Sequence, residues 1–156
     1  MEPMLNHVAW VVEDQDAVAD FLRTYFDCQI GDKSVIEGPW AEELAQMPGV
    51  KVFYQPAISK STDTRIAILK FVSPHPDENP HVDELNLKGF RHIGFLVSDI
   101  DQKTADLRAG GYKFFSNPVD AKGFHSSTVY FWGPENAVIQ LTEADLATPP
   151  PPTPHA

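Results

Sequence analysis

Cysteine is almost absent from this chain: Cys28 is the one thiol in 156 residues. A single cysteine excludes an internal disulfide and any multi-cysteine metal cluster. Lone thiols mostly pack as small apolar groups, and Cys28 is expected to do the same. Positive charge is also scarce. Twelve Lys and Arg stand against 22 Asp and Glu, a formal net charge of −10, so phosphate backbones and anionic lipid surfaces would repel the chain. Neither nucleic acid nor a membrane is an expected partner. No run reaches the ~18 apolar residues needed to span a bilayer, and the acidic opening MEPMLNHVAWVVED is unlike a basic secretory leader. The expected setting is a reducing cytoplasm.

What is present is enough for a core. Apolar residues make up 42% and aromatics 11%, which rules out disorder throughout. The length is that of one ordinary domain, able to bury roughly two thirds of its unfolded surface. Sliding the sequence by 85 residues lays HVAWVVEDQDAVADFL from His7 over HIGFLVSDIDQKTADL from His92. His7 then meets His92, Val12 meets Val97, Asp14 meets Asp99, Asp16 meets Asp101 and Leu22 meets Leu107, with small Ala9 on Gly94. Matching residue class along the whole window marks an internal repeat.

Each copy opens as a strand. His7, Ala9 and Val11 share one face and Val8, Trp10 and Val12 the other, because strand side chains alternate. In both copies the face opposite the histidine carries the bulk and suits packing on a helix, while the histidine has small neighbours. A helix follows, capped by Asp14 or Asp16 in the first copy and by Asp99 in the second. Val18, Phe21, Leu22, Tyr25 and Phe26 recur at helical spacing, as do Ile100, Thr104 and Leu107 before Gly110-Gly111. A short helix is expected through PWAEELAQM. Residues 50–58 and 65–72 read as a hairpin across SKSTDT, and residues 128–132 and 137–143 as another across GPEN. The expectation is a single domain over 1–146 built of two modules, about 4–73 and 89–145, with a polar linker at 74–88. The proline-rich stretch 147–156 is expected to be disordered.

Two βαβββ-like halves, each opening with a strand histidine, resemble the vicinal oxygen chelate superfamily of glyoxalase I, methylmalonyl-CoA epimerase, extradiol dioxygenases and bleomycin and fosfomycin resistance proteins. FRHIGFLVSDID is similar to the family's first strand and helix start, and YFWGPENAVIQLTE to its closing hairpin. The resemblance spans about residues 4 to 145. It implies an α+β fold of two paired βαβββ modules forming a cupped, mostly antiparallel sheet. Homodimers are common in the family and are expected here.

The resemblance also implies metal ligands on the first and last strands of each half. Carried across, these are His7, His92 and Gln140, where the family's usual carboxylate is replaced by a weaker, neutral amide oxygen. In the first half the last-strand position falls on Ala67 or Lys70, depending on register, and neither residue coordinates a cation well. A divalent metal (Zn, Fe, Mn, Ni or Co) is therefore implied, or none, because the ligand set is incomplete.

Chemistry that removes a proton beside a carbonyl needs a base near the working pH; Lys70 or His125 is the candidate catalytic residue for it. Trp10, Tyr130 and Trp132 are candidate substrate-binding aromatics. A lone strand histidine is more often a core residue bonded to backbone carbonyls, but recurrence at matched repeat positions favours function for the pair. His75, His81 and His155 lie in proline-rich segments and Glu135 in a turn, and none is expected to act.

Three readings follow. The first is a metal-dependent isomerase, lyase or dioxygenase on a small oxygen-rich substrate. The second is a metal-free binding protein similar to the bleomycin resistance branch. The third is a cofactor-independent enzyme using Lys70 or His125.

Overall fold

The first histidine strand does not pair with its sequence neighbours but with the last strand of its own half. In the computed structural model, which describes residues 3–144, the chain divides into two units between Asn79 and Pro80. The proline-rich stretch 147–156, with His155, lies outside the described residues. The fold is α+β, and the described residues form three helices and ten strands in two mixed five-stranded sheets.

The first unit runs β1 (His7–Val11), α1 (Gln15–Phe26), β2 (Gln29–Ile30), β3 (Ser34–Glu37), α2 (Pro39–Ala45), β4 (Lys51–Ile58) and β5 (Arg65–Ser73). Its sheet has the order β1-β5-β4-β2, with β3 also on β4; β1 and β5 are parallel and the other pairs antiparallel. Asp14 caps α1, its carboxylate accepting the Ala17 N–H at 2.9 Å. Of the stripe the spacing predicts, Val18, Phe21 and Leu22 are buried, with Ala19 beside them, while Tyr25 and Phe26 are half-buried with their rings against Phe21. Gln15 breaks the apolar pattern. Nearly fully buried, it donates to the carbonyls of Phe53 at 3.2 Å and Ile68 at 2.9 Å, so its amide ties the helix start to β4 and β5. Cys28 is buried, as expected.

The second unit repeats the plan: β6 (His92–Leu96), α3 (Ile100–Ala109), β7 (Lys113–Phe114), β8 (Val119–Ala121), β9 (Ser126–Trp132), a 3-10 turn (Pro134–Asn136) and β10 (Val138–Ala144). The sheet order is β6-β10-β9-β7, with β8 also on β9. Here too the first and last strands are parallel. Asp99 caps α3 through the Gln102 N–H, and the buried side of that helix is Ile100, Thr104 and Leu107, the stripe read from the sequence. Opposite it, Phe131, Ile139, Leu141 and Val129 are almost fully buried. Phe114 stacks on Phe131 with ring centroids 4.9 Å apart. The turn into β10 needs Gly133, because a Cβ there would stand 2.5 Å from Cδ1 of Ile139.

Four short strands, β2, β3, β7 and β8, are assigned no residues from the sequence, although the βαβββ plan implies a further strand in each half. At two to four residues they are too brief for an alternating pattern to register. The polar stretch 74–88 is also less of a free spacer than its composition implies. Within the second unit, Arg91 donates to the carbonyls of His81 and Glu84, and the Trp132 indole N–H donates to the carbonyl of Asp83 at 3.1 Å.

Candidate functional site

In β6 the alternation sends His92, Gly94 and Leu96 to one face and Ile93 and Phe95 to the helix side. Register places Val138, Gln140 and Thr142 of β10 beside those three, and Trp132, Tyr130 and Thr128 of β9 beside these in turn. One sheet face therefore carries His92, Gln140, Thr128, Thr142, Tyr130 and Trp132. His92 and Gly94 are exposed, and Gln140 and Tyr130 are half-buried. The His92 imidazole stands edge-on to Tyr130 with centroids 5.2 Å apart.

Phe115 completes this face and was not among the sequence candidates. Its N–H donates to the Tyr130 carbonyl, its ring stacks on Trp132 at 4.0 Å and leans on Tyr130 at 5.8 Å, and it stays 38% exposed. The Phe114-Phe115 doublet was the available signal. One ring of such a pair enters the core and the next turns to the other face, but a two-residue strand gave no pattern to place them.

The Gln140 amide is held in a defined orientation. Its Nε2 donates to Thr128 Oγ1 at 2.9 Å, while the Thr128 hydroxyl donates to the Leu141 carbonyl at 3.0 Å. The carbonyl oxygen Oε1 is left towards β6, where a Cβ on Gly94 would lie 3.5 Å from it.

The first unit resolves the register question. His7 pairs with Arg65 and Ala9 with Ala67, as His92 pairs with Val138 and Gly94 with Gln140. Ala67 therefore occupies the position of Gln140, and Pro56 that of Tyr130. Lys70 pairs with Phe53 as Glu143 pairs with Ser127, so it lies on the helix side of its sheet. Its ammonium is 3.6 Å from Glu13, whose other oxygen is 3.3 Å from His75. Trp10, beside fully buried Ile68, also alternates to the face opposite His7. His7 itself is exposed, with Nδ1 2.7 Å from the Asn6 side-chain oxygen.

His125 sits in the turn between β8 and β9 with φ of 51°. It borders an open depression of about 440 Å³ lined also by Ser98, Asp120, Ser127 and Glu143. Ser126, next to it, pairs with Ala144, four strand residues past Gln140 and so about 13 Å along the sheet. The structure thus groups His92, Gln140, Tyr130 and Trp132 within the second unit and sets His125 apart from them.

Among the described residues no group of three or more His, Cys, Asp or Glu converges in a way that would hold a metal ion. The second unit's face offers a different donor set, the His92 imidazole on β6 and the Gln140 amide oxygen turned towards that strand. Both are neutral ligands acceptable to first-row divalent cations, but they bring no charge to offset the ion's. The strand positions of this face hold no Asp or Glu. The fit is to a weakly held cation with open coordination positions.

Residues 6–131 match the Glyoxalase/Bleomycin resistance protein/Dioxygenase superfamily, and the chain belongs to that family. Among solved structures it is similar to a glyoxalase family protein from Bacillus cereus, at 22% identity, covering 91% of this chain and 95% of that one with a TM-score of 0.79. It is also similar to the genomically encoded fosfomycin resistance protein FosX from Listeria monocytogenes, solved with Mn(II) and sulfate. That match has 18% identity and a TM-score of 0.58, covering 94% and 97% of the two chains. Likeness at these identities is a likeness of fold. No curated protein matches the chain significantly. Among the described residues no helix is long and apolar enough to cross a membrane.

Proposed function

We propose that the protein is an enzyme acting on a small oxygen-bearing substrate with the help of a divalent cation, of isomerase, lyase or dioxygenase type. His92 and Gln140 are the candidate ligands of the second unit, and His7, the repeat equivalent of His92, is the candidate ligand of the first. The observation that carries this reading is the Gln140 carbonyl oxygen, freed by Thr128 and turned to the bare backbone at Gly94, on the strand that bears His92. When bound, the cation supplies Lewis acidity to the substrate oxygens. The chain's own residues orient the substrate. Tyr130, Phe115 and Trp132 offer a wall for its apolar or planar part, and Thr142 lies within hydroxyl reach of Thr128 at 3.4 Å. With no carboxylate at the strand positions of this face, charge stabilisation rather than a carboxylate base is the contribution it is suited to make.

The neutral donor set and the aromatic wall also favour a second reading, a metal-free protein that binds its ligand against Phe115, Tyr130 and Trp132. FosX, a relative in fold, is solved with Mn(II), which supports the first reading over this one. A cytoplasmic setting and a homodimer complete the proposal. The lone buried thiol suits a reducing compartment, and β1 and β6 each pair on one side only within their sheets, as edges open to a partner do. A clean monomer by light scattering at micromolar concentration would remove the dimer.

The deciding experiment is elemental analysis of the untagged protein, with Mn(II) and Zn(II) titrations, beside His92→Ala and His7→Ala. Near-stoichiometric metal in the parent, lost in the variants, supports the enzyme reading and directs screening to diketones, catechols and acyl thioesters. Negligible metal in every protein after reconstitution overturns it and leaves the binding reading.

A further inference from the structure

The two ends of a glutamine amide are nearly the same size, so the face on which Gln140 sits does not by itself decide whether oxygen or nitrogen meets an incoming ligand. An oxygen attracts cations and hydrogen-bond donors, whereas an NH2 repels a cation. Thr128 supplies the decision. Its single hydroxyl proton is spent on the Leu141 carbonyl at 3.0 Å, so towards Gln140 it presents only lone pairs. The atom of Gln140 that meets it at 2.9 Å must therefore be the donor Nε2.

Rotating the amide by half a turn would set two acceptors against each other or force Thr128 to abandon Leu141. Either change leaves one hydrogen bond fewer at a part-buried group, while the two orientations differ in nothing else. The oxygen then faces β6, and Gly94 leaves the space beside it open, with no side chain to cover it. The first unit has no such device. Ala67 stands for Gln140 and Tyr54, which pairs with Leu69, for Thr128.

We propose that Thr128 is a positioning residue that locks the Gln140 amide with its oxygen outward, so that the second unit's face presents an acceptor to a divalent cation. The inference rests on the reading above for the identity of the ligand, but not for the lock itself.

The test uses the full chain with Thr128→Val, which keeps the branched shape and removes the hydroxyl, and Thr128→Ser, which restores the hydroxyl. The first readout is the side-chain NH2 pair of Gln140 in 15N-labelled protein without added metal, identified by its disappearance in Gln140→Ala. The second is Zn(II) affinity by calorimetry. In the parent and Thr128→Ser, the two amide protons should be well separated, with one slowed in exchange. In Thr128→Val they should collapse to the shifts of a free amide, and Zn(II) affinity should fall about fivefold, a loss that corresponds to one hydrogen bond. Unchanged amide signals in folded Thr128→Val would overturn the lock. Collapsed signals with unchanged Zn(II) affinity would overturn its role in presenting the oxygen. If the parent binds no Zn(II) while the signals collapse in Thr128→Val and recover in Thr128→Ser, the lock stands and the cation reading fails.

Discussion

Replacing Gln140 by Glu would test the ligand assignment through charge with almost no change in shape. The new carboxylate has no N–H to offer Thr128, so the 2.9 Å bond from Nε2 is lost. The Thr128 hydroxyl can recover it only by turning its proton away from the Leu141 carbonyl. Either way one hydrogen bond disappears, and the metal-free protein should lose about 1 kcal/mol of stability. Part-burial of the new charge adds to that loss. Against this stands the attraction of a full negative charge for a doubly charged cation at a ligand distance of about 2.2 Å, about 4 kcal/mol even in water-like surroundings. Desolvation of the carboxylate on binding offsets part of this, leaving a net gain of about 2–3 kcal/mol, or roughly 30- to 150-fold tighter binding. Titration calorimetry with Zn(II) and Mn(II) on parent and Gln140→Glu reads the affinity. Urea midpoints of the two metal-free proteins read the stability. Unchanged or weaker affinity in a folded Gln140→Glu would refute the claim that this oxygen meets the cation.

The remaining expectations concern the surroundings of that face. Phe131 is fully buried between Phe114 and Tyr112, and Phe131→Ala should cost about 3–5 kcal/mol in urea unfolding; a loss under about 1 kcal/mol would mean the second core is not packed around it. Because Lys70 is engaged with Glu13 on the helix side and His125 lies about 13 Å along the sheet from Gln140, Lys70→Met and His125→Ala should keep parental cation affinity within about twofold, and a tenfold loss in either would reassign the site. Burial pushes the Cys28 thiol up, with the charge of Asp27 adding to it and Lys60 opposing. The folded state therefore holds that proton more tightly than the unfolded state. The resulting stability is complete below the unfolded thiol's range of about 8.5 and is lost as pH rises through the higher folded value. Between pH 8 and 10 the parent should lose more urea resistance than Cys28→Ala, and equal losses would dismiss the effect.

Much of the architecture was legible because local chemistry and repetition agreed. Asp14 and Asp99 cap their helices where a short carboxylate precedes a periodic apolar run, and the offset that aligned His7 with His92 also aligned the strands on which they sit. The register of the last strand in the first half was not legible. Residues 65–72 are apolar at nearly every position, so no alternation marked which face Ala67 or Lys70 takes. Only pairing with β1 decides it. Gln15 escaped notice for a related reason: a polar residue at a helix start reads as solvated, and its two carbonyl partners come from strands 38 and 53 residues away. The Thr128–Gln140 bond likewise depends on the hairpin register across Gly133–Ala137, which composition alone does not fix.

The two halves have kept the frame of the repeat while their histidine faces have moved apart in chemistry. At matched positions the first unit sets Arg65, Ala67, Pro56 and Tyr54 where the second sets Val138, Gln140, Tyr130 and Thr128. Beyond Ala67, the first unit's face is covered at its Val11 end, where Leu69 and Phe71 pack with Ala41, Val50 and Val52 beneath α2. A cation ligand beside Arg65 would meet a like charge, and Ala67 offers no donor. Those positions suit packing or the recognition of an anionic substrate group better than metal ligation. In the second unit the same positions give a buried apolar neighbour for His92 and an oriented acceptor one strand away. Donor chemistry at these matched strand positions is concentrated in the second unit, and the first unit's face carries His7 at the position that His92 holds in the other. Variants there should therefore follow a steep order: His92 and Gln140 first, Thr128 next through its hold on Gln140, and Ala67 not at all. Ala67→Glu offers the converse, since it would place a carboxylate at the repeat position of Gln140. A gain in Zn(II) affinity from that change in a folded protein would show that the first unit's frame can seat a ligand there, and unchanged affinity would show that it cannot.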